Sequence, residues 1–206
     1  IGNALMTTMA EATFETTKFG VGLEENLMLT QQINDVMGTN TLLSSEQVIN
    51  MQLLARNAGL TSAEIVPIVE GFRNIGVGTS SAISQISDMQ KQARDYGINV
   101  GKFMKDIGSN IKMLSSYNFK DGVEGFSRMI AKAQALRMDV STTFALSEKL
   151  MDPETAIETA AGFQMLGGAV GDLGDPFKLL HLAQTDTEGL QDAIIGMAEG
   201  AAVFNE

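Results

Sequence analysis

The residues with most scope for chemistry lie in the last third of the chain. Asp172 and Asp175 stand close enough in sequence to share a calcium ion, but the alternation of oxygen-bearing side chains that builds a calcium loop is missing. Around them, Gly168-Ala169-Val170-Gly171-Asp172-Leu173-Gly174 has the glycine content of a phosphate-binding loop. A P-loop would end in Gly-Lys-Ser/Thr, and a dinucleotide fingerprint would need Gly-x-Gly-x-x-Gly after a strand. Neither is present, so a loop between helices is expected. His181, the only histidine, sits in Leu179-Leu180-His181-Leu182. General-base work needs an orienting partner and a nucleophile, and the sequence identifies neither; a partly buried helix residue is expected. Glu148, Asp152, Glu154 and Glu158 could crowd on adjacent turns as a glycosidase pair would, yet in an acidic helical chain they are expected to be solvated. No catalytic, cofactor-binding or metal-ligating residue is assigned and no cofactor is implied. The chain is not expected to be an enzyme.

Composition supports a folded structure. Of 206 residues, 44% are hydrophobic, enough to bury a core. There are no cysteines, which removes disulfides and thiolate metal sites and fits a reducing compartment. No run reaches the roughly 18 consecutive apolar residues that a membrane span needs, and no signal segment opens the chain. The first residue is Ile1, and a piece of a longer polypeptide is expected. The net charge of -11 opposes a phosphate backbone, so no nucleic-acid binding is expected.

The charge is unevenly spread. Residues 1–90 hold three basic and nine acidic groups, residues 91–140 nine and five, and residues 141–206 two and eleven. Solvated helix faces explain this pattern; the alternative is that the basic middle docks on an acidic end, in the same chain or in a neighbouring copy. Phe103, Phe119 and Phe126 fall at core-like positions rather than among exposed lysines. The 13 methionines suit irregular cores and also adaptable interfaces, with packing favoured and part of it intermolecular.

The elements that carry these residues are set by a recurring stop, turn and restart. At Gly97-Ile98-Asn99 a helical pattern meets a glycine able to take the left-handed conformation, then an apolar residue, then a residue that caps the next helix. Gly59-Leu60-Thr61 repeats it, Arg137-Met138-Asp139 repeats it with arginine in place of glycine, and Gly20-Val21-Gly22 is a worn first copy. The spacing of 38–40 residues is that of a helix-turn-helix unit repeated along a chain.

Apolar periodicity predicts helices along the whole sequence. Leu5, Met6, Met9 and Ala12 share a face, continued by Leu23, Leu27, Ile33 and Met37. Ser45 is expected to cap a helix ending at Gly59, and Thr61-Ser62-Ala63-Glu64 forms a capping box. Pro67 predicts a kink or a late start. Ile83, Ile86, Met89, Ala93 and Tyr96 share a side, and Phe144 and Met151 are expected to point inward. Asp152-Pro153-Glu154 opens a further helix, and Gln191 to Phe204 form a last one. Nowhere do β-branched residues alternate over a strand length. The expected fold is all-α, consecutive helical hairpins without a β-sheet. The expected division is hairpins over 1–75, a Gly/Ser linker at 76–81, and a repeat region over 82–206 with a Gly-rich loop at 167–176.

From Tyr117 onward four stretches carry a resemblance. They are Ala131-Lys132-Ala133-Gln134-Ala135-Leu136-Arg137-Met138-Asp139-Val140-Ser141, Asp152-Pro153-Glu154-Thr155-Ala156-Ile157-Glu158, Gly162-Phe163-Gln164-Met165-Leu166-Gly167-Gly168, and Gly189-Leu190-Gln191-Asp192. In this order they resemble the helical repeats of bacteriophage tail tape measure proteins, well over the last half and loosely before it. The resemblance implies a virion protein inside the tail tube that sets tail length, takes part in assembly and leaves ahead of the genome. It implies as partners the chain itself, in a homo-oligomer such as a trimer, and other phage tail proteins. It implies synthesis in the bacterial host cytoplasm and carries over no catalytic or ligand residue. Two departures stand out: glycine interrupts the chain where the family often has unbroken heptads, and the family's Leu-Gly-Met-like break reads Leu136-Arg137-Met138. A helical-repeat adaptor that binds a protein partner, or another phage virion structural protein, is the alternative.

Overall fold

The computed structural model describes residues 2–38, 42–166 and 170–203. Among them are eleven α-helices and no strand, as the periodicity predicts. The helices are α1 (Gly2–Thr16), α2 (Leu23–Met37), α3 (Ser45–Ala58), α4 (Ser62–Asn74), α5 (Thr79–Asp95), α6 (Val100–Asn110), α7 (Val123–Ala135), α8 (Val140–Leu150), α9 (Pro153–Leu166), α10 (Pro176–Thr185) and α11 (Thr187–Val203).

The joints have a common geometry. Gly20, Gly59 and Gly97 take left-handed φ values of 81°, 67° and 66°, and Arg137 takes 56°, the only positive φ among described non-glycine residues. In each joint the next residue's N–H bonds five residues back: Val21 to Thr16, Leu60 to Ala55, Ile98 to Ala93 and Met138 to Ala133, at 2.8–3.0 Å. This closes carbonyls that a helix end leaves open. The restart follows at once, with Asn99 Oδ1 accepting from the Lys102 N–H at 2.8 Å and Asp139 Oδ1 from the Ser141 N–H at 2.9 Å.

Gly76-Val77-Gly78 is another such joint rather than a linker. Gly76 has φ 82°, the Val77 N–H bonds the Phe72 carbonyl at 2.9 Å, and extended Gly78 leads into α5. Thr79-Ser80-Ser81, the rest of the expected linker, are the first turn of α5. The chain instead divides into two compact units, Ile1–Lys112 and Met113–Glu206.

In the first unit, α1, α3 and α5 pack side by side in one layer and α2, α4 and α6 in a second, each hairpin stacked on the one before. The core between the layers includes Met9, Leu29, Ile33, Met51, Ile65, Ile68, Phe72, Ile86, Phe103, Met104 and Ile107, all fully buried. Ser44, one residue before the expected cap, starts α3: its Oγ accepts from the Gln47 N–H at 3.2 Å while the Gln47 side chain accepts from the Ser44 N–H at 2.9 Å. The helix containing Pro67 starts at Ser62 with no delay, because the Thr61–Glu64 capping box holds its first turn.

Five residues placed on shared helix faces or expected inward are instead exposed: Met6 at 68%, Leu23 at 46%, Leu27 at 40%, Tyr96 at 39% and Met151 at 38%. Periodicity correctly groups them on helices but cannot say whether a neighbour covers that flank.

The second unit is less regular. Here α10 packs on α8, α9 and α11, while α11 also packs on α7 and α8. Its core gathers Leu150, Ala156, Ala160, Leu173, Leu179, Ala183 and Leu190, flanked by Leu146, Phe163 and Ile194. Small side chains on α9 let α10 come close. The expected loop at 167–176 holds a 3-10 turn, Gly171–Gly174, and ends at the Asp175 cap of α10; residues 167–169, and Phe204 at the expected end of the last helix, lie outside the described residues.

Candidate functional site

Asp172 and Asp175 have separate structural tasks. Asp172 pairs with Lys178, and Asp175 Oδ1 caps α10 by accepting from the Phe177 N–H at 2.9 Å. Gly168 and Ala169 fall outside the described residues, and the remainder, Val170 to Gly174, is the 3-10 turn and its lead-in. No group of three or more His, Cys, Asp or Glu among the described residues could hold a metal ion. His181 is exposed rather than partly buried; it lies on α10 between Leu180 and Leu182, and its carbonyl accepts from Thr185 Oγ1 at 2.7 Å. Glu148, Asp152, Glu154 and Glu158 are all exposed, and Asp152 caps α9 through the Thr155 N–H at 2.9 Å. That hydrogen bond, with one from the Thr155 hydroxyl, holds the Asp152 carboxyl below its ordinary range.

The structure gathers a different set. Glu188, near the start of α11, has a side chain only 7% exposed. Arg128 of α7 forks onto it, Nε to Oε1 and Nη2 to Oε2, both at 2.8 Å, and Lys132 Nζ reaches Oε1 at 3.1 Å. Lys132 also holds Asp192 at 2.7 Å, while Arg128 is flanked by Asp121 and by Glu124 at 3.1 Å. Arg128 and Lys132 are one helical turn apart, as are Glu188 and Asp192, so the pairs climb both helices in the same direction. Beneath the charges, Gln191 donates to the Met129 carbonyl at 2.9 Å and lies 3.3 Å from Thr143 Oγ1, while the Ser147 hydroxyl donates to the Ala183 carbonyl at 3.1 Å. Gly125 makes the room: a Cβ there would stand 2.9 Å from Glu188 Oε2.

This is a clasp rather than a reactive centre. Hydrogen bonds to Glu188 and then Asp121 push the Arg128 guanidinium further up. Burial pulls Lys132 down, but its hydrogen bonds to Asp192 and Glu188 more than offset that and its pKa is raised. With three charge-assisted donors on its oxygens, Glu188 is committed to holding α7 against α11. Within the second unit, two basic residues of the middle stretch, Arg128 and Lys132, thus dock on the acidic end of the same chain. The clasp's signal in sequence was a matched couple of one-turn spacings, Arg128/Lys132 and Glu188/Asp192, about sixty residues apart; composition alone did not single out Glu188.

Each unit also exposes apolar side chains. Met6, Phe14, Leu23, Leu27 and Met28 are exposed on α1 and α2, and Ile157 at 59% and Met165 at 88% on α9. Of the methionines, Met9, Met51, Met89, Met104 and Met129 are buried, whereas Met6, Met28, Met151 and Met165 are not. No helix among the described residues is long and apolar enough to cross a membrane. Comparison with family models, with curated proteins and with solved structures finds no match to this chain.

Proposed function

We propose that the chain is a structural and interaction segment of a bacteriophage tail tape measure protein. The observation that supports this most is the layered stack of hairpins in the first unit, whose joints use the same stop-turn-restart grammar as the segment, Ala131 to Ser141, that carries the resemblance. A joint closed by two or three backbone hydrogen bonds and an apolar residue can open without rebuilding either helix, so hairpins can be drawn out to lengthen the chain inside a tube. The role is mechanical, with no catalytic step. Its partners are further copies of itself and the tail proteins around it, in the virion tail.

Mass spectrometry of virions before and after triggered genome release tests this reading. The chain is expected in intact tails and lost from emptied ones; a chain absent from virions contradicts it. The stacked layers also favour a second reading, a helical-repeat adaptor, because such stacks present extended faces to protein partners. That reading predicts retention of a bound protein by the stack in solution.

A further inference from the structure

Within the first unit two hairpin-on-hairpin interfaces use the same repeat positions. Seven residues before the left-handed glycine a glutamine reaches back to a carbonyl of the preceding hairpin, though to different helices of it: Gln52 of α3 to Glu25 of α2 at 3.2 Å, and Gln90 of α5 to Leu54 of α3 at 2.8 Å. Fourteen residues after that glycine, Arg73 of α4 donates to the Val36 carbonyl, and Ile111, just after α6, lies so close to Gly71 that a Cβ there would stand 2.1 Å from it. Seven residues after it, Val66 and Met104 are 8% and 0% exposed. These positions form the side that each hairpin turns toward its predecessor.

In the α1/α2 hairpin the corresponding residues are Thr13, Asn34 and Leu27. Leu27 is 40% exposed where its counterparts are covered, and Met6, on the same side of α1, is 68% exposed. A solvent-exposed end would favour polar replacements here, as capping repeats do; instead the face keeps apolar side chains.

We propose that the outer face of α1/α2 is the docking surface for one further helical hairpin of the same kind, stacked on it as α3/α4 is stacked on α1/α2. The occupant brings an apolar or small-residue flank to Leu27 and Met6. Continuity with the two interfaces already made identifies it as a hairpin, and this stands on packing alone, independently of any role in a tail.

The test supplies that hairpin. Gly2 stands as many residues before Gly20 as Thr79 does before Gly97, so joining a second copy of Ser44–Gly78 directly ahead of Gly2 places it in register. Amide exchange across α1 and α2 is expected to slow by about tenfold or more, with exchange in the second unit unchanged as the internal reference. Leu27→Lys in the extended chain is expected to cancel the slowing while leaving the parent chain's exchange as it was. No slowing, or slowing that survives Leu27→Lys, overturns the proposal. So does a parent chain whose mass by light scattering rises with concentration and falls back with Leu27→Lys, since a second copy would then be the occupant.

Discussion

The two units hold their helices together by different means. In the first, successive hairpins are strapped by side chains that donate to backbone carbonyls: Arg56 to Gly20 at 2.8 Å, Gln52 to Glu25, Gln90 to Leu54, and Arg73 to Val36. In the second, α7 and α11 are clasped charge to charge through Glu188. Side chain to carbonyl straps are nearly indifferent to pH and salt, whereas a clasp of carboxylates and cations is not. Equivalent core positions show the same divergence. Six and ten residues after the left-handed residue, α4 and α6 bury Ile65, Val69, Phe103 and Ile107, while α8 buries Thr143 and Ser147 and satisfies them from Gln191 and Ala183. One grammar of helices and joints thus serves a repeating stack and a polar clasp, according to what the inward residues must meet.

The comparison breaks most sharply at Gly71. Gly71→Ala drives a methyl into Ile111 and is expected to cost the first unit about 3 kcal/mol, leaving the second unaffected; urea melts followed by amide exchange in each unit check this, and Ile111→Ala is expected to restore part of the loss. Next, Glu188→Gln strips the clasp of its central charge and should lower the second unit's stability by about 2 kcal/mol, less than a sealed ion pair would lose because Asp121, Glu124 and Asp192 remain to Arg128 and Lys132.

Alkali should separate the units without mutation. The pKa of Lys132 is raised on folding, so its contribution is whole below the ordinary lysine value of 10.5 and is lost as the pH climbs through the raised value. Tyr117, raised by burial and by Glu148, acts in the same direction from its ordinary 10.0. Loss of amide protection above about pH 10.5 is therefore expected first in the second unit. On the acid side Glu64 is held low by the Thr61 N–H and by Lys105, so its contribution is present above 4.5 and fades as the pH falls through the lowered value. Gln90→Leu removes one strap and is expected to cost the first unit about 1 kcal/mol in the same melts. The smallest change is a gain: Arg137 occupies with a side chain the left-handed position that glycine fills elsewhere, and Arg137→Gly should stabilise the second unit by about 1 kcal/mol.

What was legible in the sequence is what local chemistry decides. Gly59, Gly97 and Arg137 could be read as left-handed because an apolar residue and a helix cap follow each of them. Gly76-Val77-Gly78 fits the same description, yet two glycines before a serine run look alike whether they tie a joint or loosen a linker. Met6 and Leu27 were placed on the correct helices and the wrong side of the surface, since a period of 3.6 residues names a stripe and not its neighbour. Glu188 was invisible for a related reason: its burial depends on two cations presented by another helix.

The central claim is that these hairpins act by their length. If the chain is the tape measure segment proposed above, deleting residues 20–58 in the phage carrying it joins one stop-turn-restart mark to the next in register, and tail lengths are then measured by electron microscopy. If the segment runs drawn out as helix in the tube, tails shorten by about 60 Å, at 1.5 Å for each lost residue. Tails of unchanged length would contradict the account.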